Sequence, residues 1–82
     1  MDELPSINKK ATGHNLKRLM RKNRLTTFDL QRKLNLTSPA TLYVWFRGEY
    51  LPNADSLVKL AYLFNCKVDD LLVTVKEVDE YE

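Results

Sequence analysis

The side chains best equipped for chemistry in this sequence are its cations. Ten lie between Lys9 and Arg47 (Lys9, Lys10, Lys17, Arg18, Arg21, Lys22, Arg24, Arg32, Lys33 and Arg47) against one acid, Asp29, so that stretch carries +9. The whole chain carries only +2, which leaves −7 on the remainder, most of it in Asp69, Asp70, Glu77, Asp79, Glu80 and Glu82. A basic half beside an acidic remainder is the electrostatic footprint of a surface for polyanions, nucleic acid above all. The plainer reading is a solvated basic helix face, and charge alone does not separate the two.

Covalent and metal chemistry find little to work with. The single cysteine, Cys66, has no partner in the chain for a disulfide, and the single histidine, His14, leaves no ligand set for zinc. No carboxylate cluster stands at catalytic spacing, and two glycines cannot build a phosphate-cradling loop. The residues therefore predict a protein that is not an enzyme and that holds no cofactor, metal or small-molecule ligand. Cys66 reads as an inert core thiol, and His14 as an exposed residue at a helix start. No ten-residue stretch is uniformly apolar, and Met1 to Ser6 lacks the basic-then-apolar order of a signal peptide. The expectation is a soluble cytoplasmic protein with no membrane partner.

Elements must position those cations. At 82 residues, 44% hydrophobic and 29% charged, the chain has apolar material for one compact domain and too little charge for disorder. Residues 1–12 carry a proline and no sustained period, which predicts an arm in which Leu4 or Ile7 folds back on the body. Leu16, Leu19 and Met20 at i, i+3, i+4 predict a first helix from Gly13 to Asn23. Thr26 followed three residues later by Asp29 is a capping-box pattern opening a second helix, residues 27–34, with Leu30 and Leu34 inward and Asn35 to stop it. Ser38 as cap and Pro39 in the first turn open a third helix, residues 39–47, with Leu42 and Trp45 inward and Gly48 closing it. Asn53 caps a fourth helix through Leu57, Leu60, Ala61 and Phe64, and a one- or two-turn fifth runs from Cys66 to Leu72. Residues 74–82 are an acidic tail or a short strand, since Val73 and Val75 alternate with polar neighbours. The fold class is all-α with five helices.

Helices two and three, joined by three or four residues, have the layout of a helix-turn-helix. Taken with Leu16, Leu19 and Leu25, Leu42-x-x-Trp45-x-Arg47-Gly48, Leu51-Pro52, Leu57-x-x-Leu60 and Val68-Asp69-Asp70-Leu71-Leu72, residues 13–73 resemble the XRE or lambda-repressor-like (Cro-type) helix-turn-helix domain of bacterial and phage transcriptional regulators. The resemblance implies sequence-specific binding to double-stranded DNA, helix three in the major groove, a repressor or regulator role, and a homodimer on palindromic sites. It places Pro39, Ala40 and Val44 in the base-facing positions, where apolar side chains are limited to thymine methyl groups. Thr41 and Tyr43 could add hydrogen bonds. Thr27, Ser38, Arg47 and Lys17 are the phosphate contacts.

Departures from the family pattern carry their own expectations. Thr27 stands where most members have a longer glutamine, and Asn35 where most have glycine, which implies a shorter phosphate reach and a wider turn. Members often pair an arginine of helix one with a glutamate after the tryptophan; Met20 and Phe46 stand at those positions here, which predicts an apolar contact between them in place of the ion pair. A dimer surface is expected from helix five and residues 72–78. Val44-Trp45-Phe46-Arg47 also resembles the third helix of homeodomains, but Gly48 and Pro52 break the helix where a homeodomain must continue it. An antitoxin-like protein-interaction module that kept the fold with weak or no DNA binding remains the alternative.

Overall fold

The computed structural model describes residues 4–76. Its elements in chain order are β1 (Pro5–Ile7), α1 (Lys9–Lys22), α2 (Thr27–Lys33), α3 (Ala40–Arg47), α4 (Ala54–Leu63), α5 (Val68–Leu71) and β2 (Thr74–Lys76). The five expected helices are all present. Both chain ends of the domain meet: β1 and β2 pair antiparallel, with Pro5 opposite Lys76, Ser6 opposite Val75 and Ile7 opposite Thr74. Of residues 74–82, expected as an acidic tail or short strand, 74–76 form β2 and 77–82 lie outside the described residues.

Each helix supplies one leucine that is at most 1% exposed: Leu16, Leu30, Leu42, Leu60 and Leu71. Around these pack Leu19, Met20, Leu34, Trp45, Phe46, Ala61 and Phe64. Burying a leucine stabilises by about 1.5–3 kcal/mol, so five such side chains supply much of the driving force for a domain this small. Met20 and Phe46, the expected replacement for an ion pair, are both buried in this cluster.

Helix ends follow local chemistry. The Asn8, Thr26 and Asn53 side chains cap α1, α2 and α4 by accepting from the backbone N–H groups of Ala11, Asp29 and Ser56. Asp29 returns the bond, its Oδ2 accepting from Thr26 N–H at 2.8 Å, which completes the expected capping box. At the other ends Arg24, Asn35, Gly48 and Asn65 all have positive φ. In each case the following N–H reaches a carbonyl five residues back, as in Leu25 to Met20 and Leu36 to Gln31, the double-bonded stop of a Schellman motif.

The largest boundary difference lies at the first helix. Periodicity started the first helix at Gly13, but α1 begins at Lys9. Its first inward-facing residues are Thr12, fully buried, and Gly13, so the opening turn has no apolar stripe to read. Thr12 is satisfied from the far end of the chain, its Oγ1 accepting from Val73 N–H at 2.9 Å, while Asn8 N–H donates to Val73 O at 2.8 Å. Asn15 adds a second tie, its amide donating to Asp70 O at 2.8 Å and Leu71 O at 3.0 Å. These bonds complete orphan carbonyls at the end of α5 and fasten β2 beside the start of α1.

Both glycines of the chain lie where α1 meets α3. A Cβ at Gly13 would press on the carbonyl oxygens of Trp45 and, at 2.6 Å, Phe46. A Cβ at Gly48 would come within 2.7 Å of Lys10 Cα. The absence of side chains lets the backbone of α1 lie directly on the last turn of α3 and fixes that helix's tilt. Among the described residues no helix is long and apolar enough to cross a membrane.

Candidate nucleic-acid interface

α3 divides into a buried face and an exposed one. Leu42, Trp45 and Phe46 are buried, whereas Ala40, Thr41, Tyr43 and Arg47 are exposed. Val44, expected on the outer side, is half-buried and packs partly against the core. Tyr43 keeps 46% of its surface in solvent, with its ring edge-on to Phe46 at 6.5 Å between centroids. The aromatic contact holds the ring while leaving its hydroxyl end for an outside partner.

The start of α3 is one residue later than expected. Pro39 takes the half-helical cap position at φ −78°, ψ −2°, and is half-buried. Ser38 is exposed, and its Oγ accepts from Ala40 N–H at 3.2 Å. The hydroxyl proton of Ser38 is then directed elsewhere and can donate to an anion. Residues 34–39 separate α2 from α3, a longer connection than the three or four residues expected. Asn35, left-handed at φ 57°, makes the extra room. Thr27 stands half-buried in the first turn of α2.

All ten cations between Lys9 and Arg47 are exposed. Among the described residues only one of them, Arg47, enters a salt bridge, its Nε 2.6 Å from Glu49 Oε2. The hydrogen bond from Arg47 holds the Glu49 carboxyl below its usual range, and Glu49 raises the guanidinium in turn. Lys17 is exposed on α1, four residues past Gly13 and so on the face that turns toward α3. Lys10, three residues before Gly13, shares that side and abuts Gly48. Ser38 precedes the N-cap of α3 and Arg47 is its last residue, so the two flank an eight-residue helix roughly 12 Å long at 1.5 Å per residue. The outer face therefore offers small or apolar side chains in its middle, with donors and positive charge at both ends and along its α1 flank.

Lys10, a DNA-facing cation of the arm by sequence, lies instead in the first turn of α1. Two residues here carry no signal in the sequence: Glu49, paired with Arg47, and Phe28, 64% exposed, which carries the Arg32 guanidinium over its ring at 5.6 Å. Cys66 is half-buried against the core, and burial pushes its thiol upward, away from the reactive thiolate. Among the described residues no group of three potential ligands could hold a metal ion.

Known proteins give this geometry its context. The restriction-modification controller protein C.AhdI from Aeromonas hydrophila superposes with a TM-score of 0.66 at 19% identity, over 76% of this chain and 92% of that one. The clp gene regulator ClgR from C. glutamicum gives 0.66 at 21% identity, over 77% and 80%. A transcriptional regulator from Listeria innocua gives 0.68 at 25% identity, over 98% of this chain and 67% of that one. No curated protein sequence matches the chain. The profile of the Cro/C1-type HTH DNA-binding domain matches residues 15–77, more than half of the chain. The chain belongs to the family of Cro/C1-type HTH DNA-binding domains.

Proposed function

We propose that this chain is a sequence-specific transcriptional repressor that seats α3 in the major groove of double-stranded DNA and acts as a homodimer in the cytoplasm. The observation that carries the reading is the division of α3 into a buried face and an exposed one, set in a segment whose ten cations all face solvent. A groove about 12 Å wide admits one such helix. In this reading Thr27, Ser38, Lys17 and Arg47 hold phosphates, while Ala40 and Pro39, with Val44 at reduced reach, lie against thymine methyl groups. Thr41 and Tyr43 supply the hydrogen bonds to bases, and DNA shape supplies the rest of the specificity. A binding role of this kind needs no cofactor and no catalytic group. The names of the structural relatives, a restriction-modification controller and regulators of genes, support it.

Selection of bound fragments from random duplex DNA at two salt concentrations tests the proposal. It predicts one enriched motif with half-sites about 34 Å apart, bound far more weakly at the higher salt. Recovery of unenriched fragments, or of none, contradicts it. A second reading, the antitoxin-like interaction module, draws on an open apolar strip of Leu34, Val58, Tyr62 and Leu63 rimmed by Lys33 and Lys59. Binding to a protein partner need not weaken steeply with salt, so the same pair of conditions separates the two readings.

A further inference from the structure

Arg47 already holds an anion where a DNA phosphate would have to reach it. Glu49 Oε2 sits 2.6 Å from its Nε, with the two side chains 56% and 50% exposed. The turn that ends α3 builds this pair. Gly48 at φ 77° reverses the chain, and Glu49 N–H bonds to Val44 O, which folds residue 49 back over the last helical turn. The Lys10 backbone lies directly against Gly48 and holds that turn in place. A carboxylate oxygen and a phosphodiester oxygen make the same demand on a guanidinium, an N–H donor and a positive charge.

We propose that Glu49 is a built-in competitor of the DNA backbone for Arg47, occupying the guanidinium in the free protein and surrendering it only when α3 is seated in the groove. The proposal rests on the reading of α3 as the recognition helix. Non-specific affinity is made almost wholly of phosphate contacts, so withholding one of them weakens the hold on arbitrary sequence. Glu49 thereby sets how long the protein stays on DNA it does not recognise.

The test uses the full chain, its Glu49→Gln, Arg47→Ala and doubly substituted forms, and a mixed-sequence duplex, so that no operator need be known. Affinity is read by fluorescence anisotropy across a salt series, and thermal melts confirm that these exposed substitutions leave the fold intact. Glu49→Gln is expected to tighten binding about two- to fivefold, the range of an exposed ion pair. It is also expected to steepen the salt dependence by up to about 0.9, one phosphate contact. In the Arg47→Ala background the same substitution is expected to change affinity far less. An equal gain in both backgrounds would mean general removal of negative charge and would overturn the proposal, as would unchanged or weaker binding by Glu49→Gln alone. If the parent binds and Arg47→Ala costs nothing even in the Glu49→Gln background, where the guanidinium is released, the competition falls while the DNA-binding reading stands. If the parent retains no duplex, both fall.

Discussion

At the scale of single residues, the proposed function separates side chains that hold DNA from side chains that choose it. It puts Arg47, at the end of α3 and turned to solvent, in the first group. Its replacement by alanine is expected to weaken binding to the selected site, to lower the salt slope there by about 0.9, and to leave the preferred sequence unchanged. A change in sequence preference, measured by selection with the variant, would place Arg47 on a base instead. Asp29 supplies a stability prediction. Its carboxyl is held below the usual range, first by the Thr26 backbone N–H and hydroxyl and then by Lys33 and Arg32. The unfolded chain takes up that proton near its ordinary value of about 3.9, before the folded chain does. The contribution is therefore complete above about pH 5 and lost as pH falls through the lowered folded value. Urea titrations across that range should show the loss, and Asp29→Asn should flatten that part of the profile. The capping box behind this effect was legible because its two partners are three residues apart. Thr12 and Asn15 were not, because their partners lie 61 residues away at Val73 and 55 and 56 residues away at Asp70 and Leu71, and a polar side chain satisfied at that distance leaves no local pattern.

Among the elements, α1 positions α3, the proposed recognition helix. Alanine at Gly13 would favour an isolated helix by about 0.5–1 kcal/mol. Here its methyl would meet the Trp45 and Phe46 carbonyls, which are backbone and cannot swing away. The clash is the larger effect, and Gly13→Ala should cost about 1–3 kcal/mol in urea unfolding while reducing DNA affinity through displaced α3. A stabilised variant would refute the close crossing. Apolar spacing revealed the bodies of α1, α2 and α4 because their leucines face one core. It failed at the opening of α1, where the inward positions are a threonine and a glycine. The turn before α3 was underestimated for a related reason. Asn35 was recognised as a helix stop, but the stop consumes residues on both sides to complete its bonds.

For the whole molecule, charge and the pairing of the chain ends matter most. The segregation of +9 from −7 was visible in the composition and needed only the fold to show that all ten cations reach solvent. The pairing of β1 with β2 was not visible, since three-residue strands at opposite ends of a chain share no turn and no long apolar alternation. That small sheet and α5 bear on assembly. If helix five and residues 72–78, the last two outside the described residues, form the expected homodimer surface, sedimentation should show a dimer at high micromolar concentration, weakened by Val75→Lys at a side chain 45% exposed on β2. A monomer under those conditions, or a dimer indifferent to the substitution, would move the interface elsewhere. The central claim, that α3 enters DNA, is tested most directly by titrating isotope-labelled protein with duplex in low salt and following backbone amides by NMR. The account predicts the largest shifts at residues 38–47, with smaller ones at 26–28 and along the α1 cations. Shifts confined to the α4 face around Val58 and Tyr62, or no shift at any residue, would contradict it.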